Sequence, residues 1–188
     1  MREIKDLATT VARFLNKEKI RYAFVGGLAV SAWGEPRTTR DVDVIMLIGR
    51  KHIHPLVNFL KRSGFEASEE DAEAALSEKS HFSVFDRNSE YWLDVKGVYA
   101  ERDEVTLKRR SKVRLGGLQV FLASPEDTIL SKLEFGSERD INDIKGIILR
   151  QGKRLDERYL AAGSMRSGTF SKYAKIKREA EESLSRYI

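Results

Sequence analysis

The stretch Phe24-Val25-Gly26-Gly27, followed fourteen residues after Gly27 by Asp41-Val42-Asp43-Val44-Ile45, decides how this chain folds. Ile20 to Val25 is a short apolar run that reads as a buried strand, and the glycine pair ends it in a tight, bare turn. Leu28 to Trp33 then reads as a short apolar helix, broken by Gly34-Glu35-Pro36. Asp41 and Asp43 alternate with valines in a strand spanning 41–48. Both carboxylates therefore share one face while Val42 and Val44 pack on the other. Like charges on one face call for a positive counterpart, and a divalent cation is the ordinary one. A helix starting just after Gly27 aims its free N–H groups and positive dipole end at the turn, where the missing side chains let an anion approach. Together these features suggest a site for a metal-bound polyphosphate.

A third acid, Asp94, stands between Leu93 and Val95 in another apolar strand. If the two strands are neighbours, three carboxylates converge on an oxygen-rich site that suits Mg²⁺ or Mn²⁺. Taken singly, each acid reads as well as a loop cap or an exposed strand residue. The combination with the glycines favours the site. There is no Gly-x-Gly-x-x-Gly and no Gly-x-x-x-x-Gly-Lys-Ser/Thr, so dinucleotide-fold and P-loop readings have no support.

Outward from this centre, residues 4–18 carry apolar positions at helical spacing (Ile4, Leu7, Val11, Phe14, Leu15). Residues 51–62 read as a helix ending near Gly64, and 69–78 as an acidic helix. Residues 80–86 and 91–99 read as an antiparallel pair, and 112–122 as a hairpin turning at Gly116-Gly117. Ser124-Pro125-Glu126-Asp127 is a helix start, with Ser124 as N-cap and Pro125 in the first helical position. Helices are expected over 125–135, 138–150 and about 170–186, with Gly163 and Gly168 as breaks. The order predicts an α/β (α+β) fold, a mixed sheet flanked by helices, with a domain over 1–122 and a helical region over 123–188.

Composition limits the function classes. The chain has 188 residues, 41% of them hydrophobic, enough for one α/β core with a helical appendage. There is no cysteine, hence no disulfide framework, thiolate nucleophile or cysteine zinc site. The N-terminal residues are charged and no apolar run approaches ~18 residues. No leader and no membrane span are predicted, and a cytoplasmic location follows by default. The formal charge of +5 permits a nucleic-acid partner without demanding one. The densest basic run is Lys108-Arg109-Arg110-Ser111-Lys112-Val113-Arg114. Read as a strand with five cations in seven residues, it could track an RNA backbone as readily as be a solvated face.

Gly26-Gly27, a short helix, Arg37-Thr38-Thr39-Arg40 and then Asp41-Val42-Asp43 resemble the DNA polymerase β-like nucleotidyltransferase superfamily, closest to its minimal and AbiEii-type toxin-like branch. Ser124-Pro125-Glu126-Asp127…Lys132-Leu133, then Arg139-Asp140-Ile141-Asn142-Asp143-Ile144, is similar to the helical segment of those proteins. The resemblance covers about residues 20–150. It implies transfer of a nucleoside monophosphate from an NTP to a hydroxyl acceptor (RNA or tRNA, a protein, or a small molecule), with release of pyrophosphate. A cognate antitoxin is an implied partner. Asp41, Asp43 and Asp94 would hold Mg²⁺ or Mn²⁺ and carry the catalysis, and Gly26 and Gly27 would cradle the β- and γ-phosphates. Many members have Ser where Gly27 stands, so here that contact would come from the backbone. By the same resemblance Lys132 would reach the triphosphate; read from its helix alone it is equally a solvated lysine. A catalytically silent nucleotide- or RNA-binding module of the same fold is the alternative.

Several neighbouring residues admit two readings. Arg37 and Arg40 would bind phosphates or form loop ion pairs with Glu35 and Asp41. Asp140 and Asp143, three apart on one helix face, read as orienting Lys132 or Arg139 rather than binding metal. Lys96 shares a strand face with Asp94 and reads as its ion-pair partner. Trp92, on that face too, stacks on a nucleobase or packs in the core. Trp33 reads as core, His52 and His54 as surface residues, and His81 as a general-base or base-contact candidate.

Overall fold

The structure, a computed structural model, describes residues 2–185; residue 186, the end of the expected last helix, lies outside them. Two compact units emerge. One comprises the chain up to Leu28 with Thr38–Ala123, the other Ala29–Arg37 with the chain from Ser124 onward.

The first unit is built on a seven-stranded mixed sheet of order β3-β4-β5-β2-β1-β7-β6. Its strands are β1 (Tyr22–Phe24), β2 (Asp41–Met46), β3 (Phe65–Glu66), β4 (His81–Asp86), β5 (Trp92–Lys96), β6 (Ser111–Leu115) and β7 (Leu118–Leu122). Its helices are α1 (Ile4–Lys17), α3 (Arg50–Arg62), α4 (Glu69–Glu78) and α5 (Glu101–Arg109), and the first residues of α2 (Gly26–Trp33) leave it from the end of β1. β2 runs antiparallel to β1 and parallel to β5, which pairs antiparallel with β4.

Strict alternation gives the sheet two different faces. Val42, Val44, Leu93, Val95, Phe82 and Val84 are buried, and α1 packs on this side of the sheet through Leu7, Val11 and Leu15. Burying each such aliphatic side chain stabilises the fold by about 1.5–3 kcal/mol. The other face carries the polar alternates. Near one end it is covered by Leu107 of α5, which packs with Ala23, Ile45, Val25 and Val98.

The second unit is helical: α6 (Pro125–Phe135), α7 (Glu138–Gln151), a single 3-10 turn (Gly152–Arg154), α8 (Glu157–Arg166) and α9 (Phe170–Ser185). Its core gathers Ile129, Leu133, Ile144, Ile147, Leu160, Tyr173 and Ile176 around Val30, with Trp33 packed against it. The Ser-Pro-Glu-Asp start behaves as its residues dictate. Ser124 Oγ accepts the Asp127 N–H at 3.0 Å, Pro125 opens α6, and Gly136 ends it at φ +68°. Buried Glu126 and Asp127 then tie α6 to α8. Glu126 accepts the Asp156 N–H at 3.1 Å, and Tyr159 Oη donates to Asp127 at 2.6 Å.

Several expectations are corrected. The basic run does not form one strand. Lys108 and Arg109 close α5, Arg110 is its C-cap, and only Lys112 and Arg114 lie in β6. The cause lies upstream, where Asp103 accepts the N–H groups of Tyr99 (3.0 Å) and Ala100 (3.1 Å) and starts a helix that is not among the expected elements. Arg110 lies over the Phe121 ring, 4.7 Å from its centroid. Gly163 is no break but sits inside α8, where a Cβ would come within 2.5 Å of Leu130. The two-residue strand β3 and helix α8 are further elements outside the expected set.

Candidate active site

β2 and β5 are neighbours, and their parallel register sets Asp43 opposite Asp94 and Asp41 opposite Trp92. Asp41, Asp43 and Asp94 each offer a carboxylate oxygen, and these oxygens all lie within 4.8 Å of one another. All three residues are half-buried at the open part of the polar face. Three carboxylates this close are a hard-oxygen donor set that fits Mg²⁺ or Mn²⁺. Neutral donors hold two of them in orientation. Thr39 Oγ1 donates to Asp41 Oδ1, Ser83 Oγ to Asp94 Oδ1 and the Trp92 indole N–H to Asp94 Oδ2, the last at 2.9 Å. The oxygens of Asp41 and Asp94 accept at most one of these bonds each and retain a lone pair for a cation.

The glycines stand directly against these acids. The Val25 N–H donates to the Asp43 carbonyl at 3.0 Å, which brings Gly26 beside Asp43. Gly26 has φ +57°, and a Cβ there would lie 1.9 Å from Asp43 Oδ2. Both the backbone conformation and the space require glycine. At buried Gly27 a Cβ would meet Thr39 Oγ1 at 2.7 Å. The space a serine side chain would need at position 27 is thus filled by the hydroxyl that orients Asp41.

Lys96 does not pair with Asp94. Its ammonium lies 2.8 Å from Asp103, buried at the start of α5. Burial pushes the Asp103 carboxyl up, but Lys96 and the two amides hold it below the ordinary carboxylate range. Trp92 neither disappears into the core nor stands free; its N–H is tied to Asp94. His81 is exposed, opposite Lys96 on β4. His52 accepts the Gly49 N–H at 3.0 Å, and His54 meets Glu69 at 2.8 Å. Arg40 is exposed and its carbonyl accepts the Trp92 N–H at 3.2 Å.

Arg37 and Lys132 belong to the helical unit and to a different arrangement. Arg37 forks onto Asp143 through Nε (2.8 Å) and Nη2 (2.9 Å). Lys132 bridges Asp140 (2.7 Å) and Asp143 (3.2 Å). Asp140 and Asp143 orient Lys132, as the three-residue spacing suggests. Burial raises the Asp140 carboxyl, but the hydrogen bonds and charge from Lys132 and Ser137 bring it below its ordinary value. Beside this network a cavity of about 450 Å³ is lined by Glu35, Arg37, Glu138, Arg139, Asn142 and Asp143.

The sequence reading assigns no role to Thr39 or Ser83. Thr39 lies inside the Arg-Thr-Thr-Arg stretch and has a readable signal, a hydroxyl two residues before an acid. Ser83 has none, because only the β4–β5 register sets it opposite Asp94.

The model of a family described as "Nucleotidyltransferase of unknown function (DUF6036)" matches residues 2–166. The chain belongs to this family. The match reaches the nucleotidyltransferases as a class; the AbiEii-like branch is a finer assignment that rests on the sequence motifs alone. Among solved structures, the nucleotidyltransferase is similar to an antigenic nucleotidyltransferase-like protein from Paracoccidioides brasiliensis, with 23% identity, 93% of each chain covered and a TM-score of 0.57. It is similar to ANT(2″)-Ia in complex with adenylyl-2″-tobramycin, with 14% identity, 87% of this chain and 98% of that one covered, and a TM-score of 0.59. It is also similar to the lincosamide antibiotic adenylyltransferase LnuA, lincomycin-bound, with 17% identity, 77% and 96% covered, and a TM-score of 0.52. At these identities the likeness concerns the fold. A comparison with curated proteins finds no match. No helix among the described residues is long and apolar enough to cross a membrane.

Proposed function

We propose that the protein transfers a nucleoside monophosphate from an NTP to the hydroxyl of an acceptor, with loss of pyrophosphate, at the Asp41–Asp43–Asp94 cluster. The observation that carries this reading is the convergence of the three carboxylates within 4.8 Å, next to a glycine pair that opens a helix. Asp41, Asp43 and Asp94 would hold Mg²⁺ or Mn²⁺. Such ions supply charge neutralisation for the triphosphate and for the attacking and leaving oxygens.

The chain's own groups do the rest. The start of α2 at Gly26-Gly27 offers backbone N–H groups and the positive end of a helix to the β- and γ-phosphates. Thr39, Ser83 and Trp92 hold Asp41 and Asp94 in fixed rotamers, so little reorganisation is left for the moment of transfer. Asp94 lies farthest from the glycine turn in the sheet order and would face the acceptor hydroxyl. The fold shared with two antibiotic adenylyltransferases supports nucleotidyl transfer as the reaction class.

The test is incubation with each α-labelled NTP, Mg²⁺ or Mn²⁺, and a pool of tRNA, protein and small hydroxylated acceptors. The Asp41→Ala/Asp43→Ala variant runs alongside. Label moves to an acceptor with the intact protein and falls by about 10²-fold or more in the variant, because charge stabilisation of the transition state is lost. Equal labelling by both proteins would refute the assignment.

A further inference from the structure

A different side chain fills the bare space at each glycine of the turn. At Gly26 it is the Asp43 carboxylate. At Gly27 it is Thr39, whose Oγ1, Cβ and Cγ2 lie 2.7, 2.9 and 3.3 Å from where a Cβ of residue 27 would stand. In a helix the Cα–Cβ bond tilts toward the N-terminus. The Cβ position of Gly27, the second residue of α2, therefore lies on the side of the first N–H groups, which have no partner within the helix. Thr39 Oγ1 is beside that position and also donates to Asp41 Oδ1, so one hydroxyl stands both in the glycine turn and at the acid cluster.

The oxygen is fixed and its proton is not. Two heavy atoms on Cβ restrict χ1 of a threonine, and here both branches lie against Gly27. Only the O–H proton is left to turn. A hydroxyl has one proton, whereas an ionised carboxylate and a phosphate only accept, so Asp41 and a phosphate at the turn compete for it. In the structure the proton goes to Asp41 Oδ1. A divalent cation on Asp41 draws on the same carboxylate and weakens it as an acceptor, while a polyphosphate brought to the turn offers new anionic oxygens.

Ser83 supplies the contrast within the same site. Its hydroxyl makes the same kind of bond, to Asp94 Oδ1. It stands on β4, however, beyond β5 and on the flank of β2 away from β1, the strand that leads into the glycine turn. Three strand spacings of about 4.8 Å separate β4 from β1. The Ser83 proton has Asp94 to serve, and the turn is out of its reach.

We propose that Thr39 is itself a triphosphate-binding residue: with a cation on Asp41, its hydroxyl proton turns from Asp41 Oδ1 to an outer phosphate of the NTP. The proposal rests on the nucleotidyl-transfer reading above. It gives the triphosphate a side-chain donor where Gly26 and Gly27 offer backbone alone. It also links the two ligands. The cation releases the proton that the phosphate then accepts, so cation and polyphosphate bind more tightly together than apart.

The experiment measures two affinities by calorimetry, for Mn²⁺ alone and for the Mn²⁺–tripolyphosphate complex, which carries the phosphates without committing to a base. The wild type is compared with Thr39→Val, Thr39→Ser and Ser83→Ala. Thr39→Val keeps the branched shape against Gly27 and removes the proton, whereas Thr39→Ser keeps the proton. Thr39→Val is expected to weaken the complex about tenfold, the worth of a hydrogen bond to a charged group, and Mn²⁺ alone by less than about threefold. Thr39→Ser stays within about threefold of the wild type for both, and Ser83→Ala leaves the ratio of the two affinities as it is. Equal losses of Mn²⁺ and complex in Thr39→Val would show that Thr39 acts through Asp41 alone and would overturn the proposal. So would a complex bound as tightly by Thr39→Val as by the wild type, a Thr39→Ser as weak as Thr39→Val, or the same change of ratio in Ser83→Ala. A wild type that binds Mn²⁺ but not the complex overturns the role of Thr39; one that binds neither overturns the transfer reading with it.

Discussion

Two groups of carboxylates in this protein look alike in the sequence and differ in the company they keep. In the helical unit, Asp140 and Asp143 are buried, but Arg37 and Lys132 meet them at 2.7 to 3.2 Å, so the charge is balanced by the chain itself. On the sheet, Asp41 and Asp94 accept hydrogen bonds from a threonine, a serine and an indole, all neutral, while sharing a 4.8 Å neighbourhood with Asp43. Neutral donors orient a carboxylate without cancelling its charge. The first cluster is balanced by the chain itself, and on the proposed reading the second receives a cation. Carboxylate spacing alone does not separate the two; the charge of the partners does.

The sharpest way to break this contrast is the same substitution made in both places. Asp43→Asn is expected to lower nucleotidyl transfer by about 10²-fold or more. Its cost in unfolding free energy is expected to be smaller than that of the helical-unit variant, because it removes one of three like charges within 4.8 Å. Asp143→Asn leaves Arg37 and Lys132 short of a buried counter-charge and is expected to cost about 3 kcal/mol of unfolding free energy. Matching stability losses from the two variants would show that the sheet acids are as structural as the helical ones.

Gly26→Ala probes the join between turn and acid. It forces an alanine into φ +57° and a Cβ into the space of Asp43 Oδ2. The backbone strain is about 1–2 kcal/mol, and Mn²⁺ affinity, followed by titration, falls with the displaced carboxylate. An unchanged Mn²⁺ affinity would separate the glycine from the metal-binding role assigned to Asp43.

The smallest effect concerns pH. Asp140 and Asp103 both titrate below the ordinary carboxylate value in the folded chain. Their contribution to stability is present above the unfolded pKa of about 4 and is lost as pH falls through the lower folded values. Unfolding midpoints measured from pH 6 down to pH 3 should fall in the acid limb, and Lys132→Met should flatten that fall. A stability that rises on acidification would contradict the direction of both shifts.

Much of this was legible along the chain. Val42 and Val44 flanking Asp43 specify a half-buried strand, Ser124-Pro125 specifies a helix start, and Gly116-Gly117 specifies a hairpin. Each is a local steric or hydrogen-bonding preference and needs no distant partner. What was misread depended on how the elements pack on one another. Lys96 pairs with Asp103 because α5 folds back over the sheet. Arg110 ends on Phe121, and Gly163 lies inside a helix at a position where Leu130 leaves no room for a side chain.

The sequence by itself determined that two carboxylates share a strand face beside a glycine turn, since backbone alternation and missing side chains are properties of neighbouring residues. Only the tertiary structure decided that Asp94 joins them, that Ser83 orients it, and that Phe85 lies exposed beside it. Those facts follow from strand register, which sums hydrophobic burial over the whole sheet and which no short stretch of chain contains.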